Sequence, residues 1–298
     1  MIKDQYISLY EKGITKGKYV GFRCLKDLYS VKRGCTTYIT GSPTHGKTEF
    51  LEEIKMNLTE FYGWKHLMFS PEIGSPPEIY AELAAKYHSK PFSKTSMTEL
   101  EVNSAYDHIQ EYYTIIDDES LTIDNILEIA AKQSVDTITI DPWNELYHNF
   151  DKHAGREDVY LEYTLGKIRR FARKQQIHFF LVVHPRTLQL EGGKYSPPTF
   201  YQMKGGSSWA NKGESIICVF RESKMDNKAT IIIQKAKPKV VGNQGECYLY
   251  FDRDQNRYYE ENDIGMKSYA NKYESYEHEK NESTGQNQLS VESGGAPF

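Results

Sequence analysis

The chain has no apolar run near the roughly 20 residues that a membrane-crossing helix requires. Its N-terminus, MIKDQYISLYEKG, also lacks the apolar core of a signal peptide. Both absences predict a protein without a membrane partner that stays where it is made, in a cytoplasm. Cysteine is scarce. Cys24, Cys35, Cys218 and Cys247 are scattered, form no CxxC pair and have no histidine at metal-ligand spacing. That pattern argues against a zinc site and for reduced thiols. Charge of one sign is also missing: the net charge is −4. This does not suggest a surface coated in nucleic acid, yet a protein can confine basic residues to a channel.

What is present is an alternation of short apolar runs and helical stretches across 298 residues. It predicts an α/β domain with a mainly parallel central sheet flanked by helices. Candidate strands are Thr36–Thr40, His66–Phe69, Thr114–Ile116, Thr137–Ile140, His178–Val183, Ile216–Phe220, Thr230–Gln234 and Cys247–Phe251. The last of these follow one another without helices, so an antiparallel C-terminal edge is expected. Residues 1–33 read as a lead-in whose short amphipathic helix (Tyr6, Ile7, Tyr10) could pack on its own domain or on a neighbouring subunit. The domain proper runs over 34–262. Residues 263–298, rich in Glu, Lys, Asn, Ser and Gly, read as a disordered polar tail.

The strongest local signal is Gly41-Ser42-Pro43-Thr44-His45-Gly46-Lys47-Thr48, which fits G-x-x-x-x-G-K-[ST]. It follows an apolar strand and opens a helix. Gly41 and Gly46 let the backbone curl so that its amides face phosphate oxygens, helped by the helix N-terminus. Lys47 would reach the β and γ phosphates of ATP, and the Thr48 hydroxyl would hold Mg²⁺. His45 sits in a variable slot and carries no catalytic role.

A second metal element is expected at the end of an apolar strand, and Asp141, after TITI, supplies it. Hydrolysis further needs a carboxylate to orient and deprotonate water. Glu72, in SPEIG after the strand HLMF, is the candidate base. Glu78 is the fallback, although it resembles an N-terminal helix acid. His184 ends the strand HFFLVV, where it could touch a γ-phosphate and report its loss to the following loop.

The ordered set GSPTHGKT, FSPE, TITIDPWNEL, FLVVHPR, KGGSSWANKGESIICVFR and IQKAKPK…YLYFD resembles the RecA-like ATPase domain of the DnaB/Twinkle/phage primase-helicase family over about residues 20–260. The resemblance implies a RecA-like P-loop NTPase and a replicative DNA helicase motor. Such a motor is a homohexameric ring that hydrolyses ATP between subunits and moves, usually 5′ to 3′, on single-stranded DNA. By matching position it implies Glu72 as base, Asp141 as the Mg²⁺-linked acid and His184 as γ-phosphate sensor. Arg221 and Tyr248 match the pair that sandwiches the base. The basic pair that acts across subunits falls on Lys235 and Lys237. The family usually has arginine at the second position, and a lysine lacks its bidentate fork; Lys239 could contribute instead. No primase or collar domain is recognised before the motor, so either a standalone motor is expected or one that depends on separate partners such as a primase, a polymerase or a single-strand binding protein.

The loop from Arg186 through Lys194 to Lys204, rich in glycine, suits a flexible grip on a phosphate backbone. These three residues are the DNA-binding candidates. The terminal Pro297-Phe298 resembles partner-docking tips, without the dense acidic run that accompanies them. Two other readings stay open: a recombinase or mediator that forms filaments, and an ATP-dependent scaffold or loader that does not unwind.

Overall fold

The computed structural model describes residues 2–118, 120–186, 190–191, 194–223, 225–262 and 264–271, with the backbone alone at 5, 190, 191, 194 and 195. In chain order the elements are α1 (Ile2–Lys12), β1 (Thr36–Thr40), α2 (Lys47–Tyr62), β2 (His66–Phe69), α3 (Pro76–His88), α4 (Glu99–Tyr112), β3 (Tyr113–Ile115), α5 (Ile123–Ala131) and β4 (Thr137–Ile140). There follow α6 (Glu157–Gln175), β5 (His178–Val182), β6 (Leu190–Glu191), β7 (Lys194–Tyr195), α7 (Ser207–Lys212), β8 (Ser215–Phe220), β9 (Lys228–Ala236), β10 (Gly245–Asp252), β11 (Arg257–Glu261) and β12 (Lys267–Tyr269).

One ten-stranded sheet runs β12-β11-β10-β9-β8-β1-β5-β4-β2-β3. Strands β8, β1, β5, β4, β2 and β3 are parallel, and β8 through β12 pair antiparallel. Helices cover both faces of the parallel strands, so every residue of β1, β4 and β5 is buried, the threonines included. Along β5, Phe179 and Leu181 join the core under α5, α6 and α7, while Phe180 and Val182 join the core under α2. The expected mainly parallel sheet with an antiparallel edge is what the fold shows. The edge is two strands wider than the apolar pattern suggested. β11 (RYYEE) and β12 (KSY) are polar or aromatic strands, and β12 lies beyond residue 262.

The stretch expected as a lead-in is structural. Val20, Phe22, Leu25, Tyr29 and Val31 are fully buried in the core under α2, and the Tyr29 hydroxyl meets Thr37 Oγ1 at 2.8 Å. α1, by contrast, leaves Tyr6, Leu9 and Tyr10 exposed, so its apolar side chains are not packed on its own domain. The fold also joins two of the scattered cysteines: Cys24 Sγ lies 2.9 Å from Cys247 Sγ.

Helix α2 departs from a solvated-face pattern. Glu52, Glu53, Lys55 and Asn57 are all buried, because α3 and the antiparallel extension of the sheet enclose the helix. Glu53 receives the Arg257 guanidinium (2.9 and 3.1 Å) and the Tyr258 amide (3.2 Å), and Arg257 also donates to Asn57 Oδ1 at 3.0 Å. This network ties β11 to the helix that begins at the glycine-rich loop. Arg257→Met strips the buried Glu53 carboxylate of its guanidinium and leaves the Lys86 ammonium, 3.9 Å away, as its remaining cation, at a cost of about 3 kcal/mol. Calorimetry should record a fall in Tm of roughly 10 °C; a fall of a degree or two would mean that Glu53 finds another partner.

Candidate nucleotide-binding site

The loop between β1 and α2 is shaped by its glycines. Gly41 has φ 149°, and a Cβ there would lie 2.2 Å from the Val219 carbonyl oxygen. Gly46, at φ 87°, caps α2, and a Cβ there would press on Arg221 and the Tyr258 hydroxyl, each at 2.9 Å. Only glycine fits either position, and these two glycines set the curl of the loop over the first turn of α2. The Lys47 ammonium, buried in this curl, donates to the carbonyls of Gly41 (3.2 Å) and Ser42 (3.1 Å). Burial depresses its pKa, while Asp141 and Glu72 act in the opposite direction.

Four neighbouring strands deliver the remaining groups at their C-terminal ends, as expected of a parallel sheet. In sheet order, β1 carries the loop, β5 leads to His184, β4 to Asp141 and β2 to Glu72. Thr48 Oγ1 donates to Asp141 Oδ2 at 2.8 Å. The other oxygen, Asp141 Oδ1, is buried without a hydrogen-bond partner among the described residues, and so is the Ser42 hydroxyl. Burial raises the Asp141 pKa to about 6, against the Thr48 hydrogen bond and the Lys47 and Lys55 ammonium groups. An oriented hydroxyl beside a carboxylate with a spare, desolvated oxygen is a donor set that suits Mg²⁺ bound largely through phosphates and water. Among the described residues no cluster of three or more His, Cys, Asp or Glu could hold a metal without such help.

Glu72 and His184 face each other, with His184 Nε2 3.2 Å from Glu72 Oε1. Glu72 is 49% exposed and has no place in the packing of the core. Glu78 is committed elsewhere: its Oε2 accepts from the Ser75 amide and hydroxyl, both at 2.7 Å, as the capping box of α3. Of these two acids Glu72 alone lines the cleft, and the other acid in the lining, Glu49, is paired with Lys86 at 2.8 Å.

Gly46, Lys47, Thr48, Glu72 and His184 line a cleft of about 470 Å³ that also includes Pro43, Thr44, Glu49, Arg221, Phe251 and Arg253, a volume suited to a small-molecule ligand. Arg221 is buried, donates to the Tyr258 hydroxyl at 3.3 Å and lies over the Phe251 ring at 5.9 Å. His45 does not line the cleft. Its Nδ1 accepts the Arg221 amide at 3.0 Å and its ring meets Phe220, so it fastens the glycine-rich loop to the end of β8.

Tyr248 requires a correction. It does not line the cleft, and its ring lies under the Lys228 ammonium at 3.8 Å. Alternation along β10 puts Cys247, Leu249 and Phe251 on the face toward α2 and Tyr248 on the opposite face. Phe251 is the aromatic residue that reaches the cleft. It and Arg253 were missed because the sequence does not reveal which face of β10 looks toward the loop.

The other candidates lie away from the cleft. Lys235 donates to the Ala210 carbonyl at 2.5 Å, and Lys237 is exposed. Arg186 and Lys204 are exposed and bracket the long loop after β5. The Lys204 amide donates to the His184 carbonyl at 3.2 Å, and the Trp209 indole donates to the Lys204 carbonyl at 2.6 Å. The Lys194 side chain lies outside the described residues, as does the Pro297-Phe298 tip.

Glycine-rich loop, oriented threonine, strand-end acids and sheet order together define the fold of a RecA-like P-loop ATPase domain. No protein-family model matches the chain. The fold is similar to a solved structure of an isolated ATPase domain, with a TM-score of 0.73 and 17% identity, covering 87% of this chain and 98% of that one. It is likewise similar to a DnaB-like replicative helicase whose interactions with primase have been described, with a TM-score of 0.71 and 18% identity, covering 87% of this chain and 68% of that one. In sequence the chain is 29% identical over 276 residues to the chloroplastic/mitochondrial Twinkle homolog protein of Arabidopsis thaliana. The match covers 86% of this chain and 38% of that relative's length. The resemblance to DnaB- and Twinkle-type RecA-like helicase domains, read first from the motifs, therefore stands in both fold and sequence.

Proposed function

We propose that this chain is the ATP-hydrolysing motor of a ring-shaped, DnaB/Twinkle-type DNA helicase. The observation that carries the proposal is the convergence of Lys47, Thr48, Glu72 and His184 on one cleft, with the buried Asp141 bonded to Thr48 at its edge, from four adjacent strand ends. The loop amides and Lys47 bind the triphosphate, while Arg221 and Phe251 flank the base. Thr48 and Asp141 hold Mg²⁺, which when bound neutralises charge between the β and γ phosphates. Glu72 orients a water in line with the γ-phosphorus and accepts its proton as the bond to the β-phosphate oxygen breaks. His184 senses the γ-phosphate and passes its loss to the Arg186–Lys204 loop through the Lys204 amide, the DNA being gripped by that loop.

Lys235 and Lys237 support a ring. Lys235 pairs with Ile216, whereas the cleft lies beyond Phe220 at the other end of β8, paired with Thr230. That separation is roughly 15 Å along the strand, so the two lysines serve a neighbour's cleft in this reading. The lysine at position 237 also favours a weaker alternative, an ATP-dependent loader that switches without unwinding. Strand displacement on forked DNA separates the two: ATP-dependent unwinding is expected of the motor and absent from the loader. Electron microscopy on single-stranded DNA should show closed rings, whereas helical filaments would favour a recombinase. Primase, polymerase and single-strand binding protein are the proposed partners. Among the described residues no helix is long and apolar enough to cross a membrane.

The raised Asp141 pKa sets a pH dependence for Mg²⁺. The folded group titrates at about 6 against an ordinary 3.8. The folded state therefore holds the extra proton between these values, and this group's contribution to stability falls as pH rises through that window. Mg²⁺ needs the ionised form, so its apparent affinity should be lower at pH 5.5 than at pH 7.5. The added thermal stability conferred by Mg·ADP should thus be larger at pH 7.5 than at pH 5.5; equal increments would contradict the assignment.

A further inference from the structure

Between Phe251 and Arg253, which both line the cleft, stands Asp252, a buried acid that does not. Its Oδ1 accepts the amides of Asp254 (3.0 Å) and Gln255 (3.2 Å), which closes the turn from β10 to β11. Its Oδ2 accepts from Lys267 Nζ at 2.6 Å and the Tyr269 hydroxyl at 2.7 Å, both on β12. The first pair of bonds is local and would suffice to shape the turn. The second pair comes from a separate strand that needs no bond to Asp252 in order to pair with β11.

The rest of this region is held firmly on the side of α2 and α3. Lys86 donates to the Asn256 carbonyl at 3.1 Å, and Arg257 is bound to Glu53. At the β10 end of the turn, the Phe251 amide donates to the Asn227 carbonyl at 2.8 Å and Arg253 to the Met225 carbonyl at 3.3 Å, and Asp252 between them adds the tie to β12. β12 is itself anchored, since Lys267 lies over the Tyr259 ring at 4.8 Å and the Asn271 amide donates to the Gly21 carbonyl at 3.2 Å.

We infer that Asp252 is a positioning residue for the nucleoside half of the cleft, and that Lys267 and Tyr269 of β12 set the placement of Phe251 and Arg253 through it. The inference rests on the nucleotide-binding reading of the cleft. It gives the segment after β11 a role in how tightly the nucleoside is held, separate from the phosphate cradle of Lys47 and Thr48.

The test is calorimetric titration of the purified full chain and its Lys267→Met/Tyr269→Phe variant with two probes, Mg·ATP and Mg·tripolyphosphate. Loss of the two bonds to Oδ2, one of them charged, should weaken Mg·ATP binding about fivefold to tenfold. Tripolyphosphate binding should stay within about twofold, because that probe reads only the phosphate cradle. Lys267→Arg should restore most of the ATP affinity. Equal weakening of both probes, or no change in either, overturns the inference. Should the double variant fail to fold, Tyr269→Phe alone deletes one hydroxyl and should show the same split at about twofold to threefold. If the unaltered chain binds neither probe, the nucleotide reading fails and the inference with it, a distinguishable result.

Discussion

Glu72→Gln should lower the ATP turnover number by about 10²–10⁴-fold while leaving ATP affinity within a few-fold. The side chain keeps its size and an oxygen that can face His184, 3.2 Å away, but it can no longer accept a proton at neutral pH. The phosphate cradle does not depend on Glu72; the glycine-rich loop is held by Lys47, Thr48 and the packing of Gly41 and Gly46. Single-turnover hydrolysis combined with equilibrium binding of a fluorescent ATP analogue separates the two quantities. A variant that turns over at the normal rate would remove Glu72 from the chemistry, and since Glu78 is bound into its capping box, the base would have to come from elsewhere.

Lys47→Ala should remove nucleotide binding itself. The ammonium is the cation buried within the loop, where it donates to two carbonyls and lies close to Asp141. Without it the triphosphate loses two or three charge-assisted bonds of about 1.5–3 kcal/mol each. The corresponding rise in Kd is about a hundredfold or more. The carbonyls of Gly41 and Ser42 lose a donor, but the turn is set by glycine geometry, so the fold should persist with little change in Tm. Binding titrations and a melting curve on the same preparation check both statements. Affinity within about threefold of the unaltered chain would show that the loop does not cradle phosphate.

The parallel half of the sheet was legible because strands buried on both faces leave a trace of β-branched, aromatic and aliphatic residues without charges, as in TTYIT and HFFLV. The strand-end positions of Asp141, Glu72 and His184 were legible for the same reason, since each lies within three residues of the end of such a trace. What the trace cannot carry is the antiparallel edge. β11 and β12 are built of Tyr, Glu, Lys and Ser, and their order depends on partners such as Asp252 and Glu53 that lie far off in sequence. That Phe251 lines the cleft while Tyr248, matched through the family resemblance, does not is a matter of pleat parity, which becomes known only once α2 is seen to cover the Phe251 face. Helix α2 misled in the opposite way: Glu52, Glu53 and Lys55 look solvated until α3 and β11 close over them. Cys24 and Cys247 came together for a comparable reason, the lead-in segment folding back across β10.

The most direct test of the motor reading is steady-state ATP hydrolysis by the purified chain with Mg²⁺, measured with and without single-stranded DNA. A motor whose γ-phosphate sensor is linked to a DNA-gripping loop through His184 and Lys204 should hydrolyse ATP slowly alone and several-fold faster on its track. Hydrolysis that is absent under both conditions, or identical in both, would contradict it.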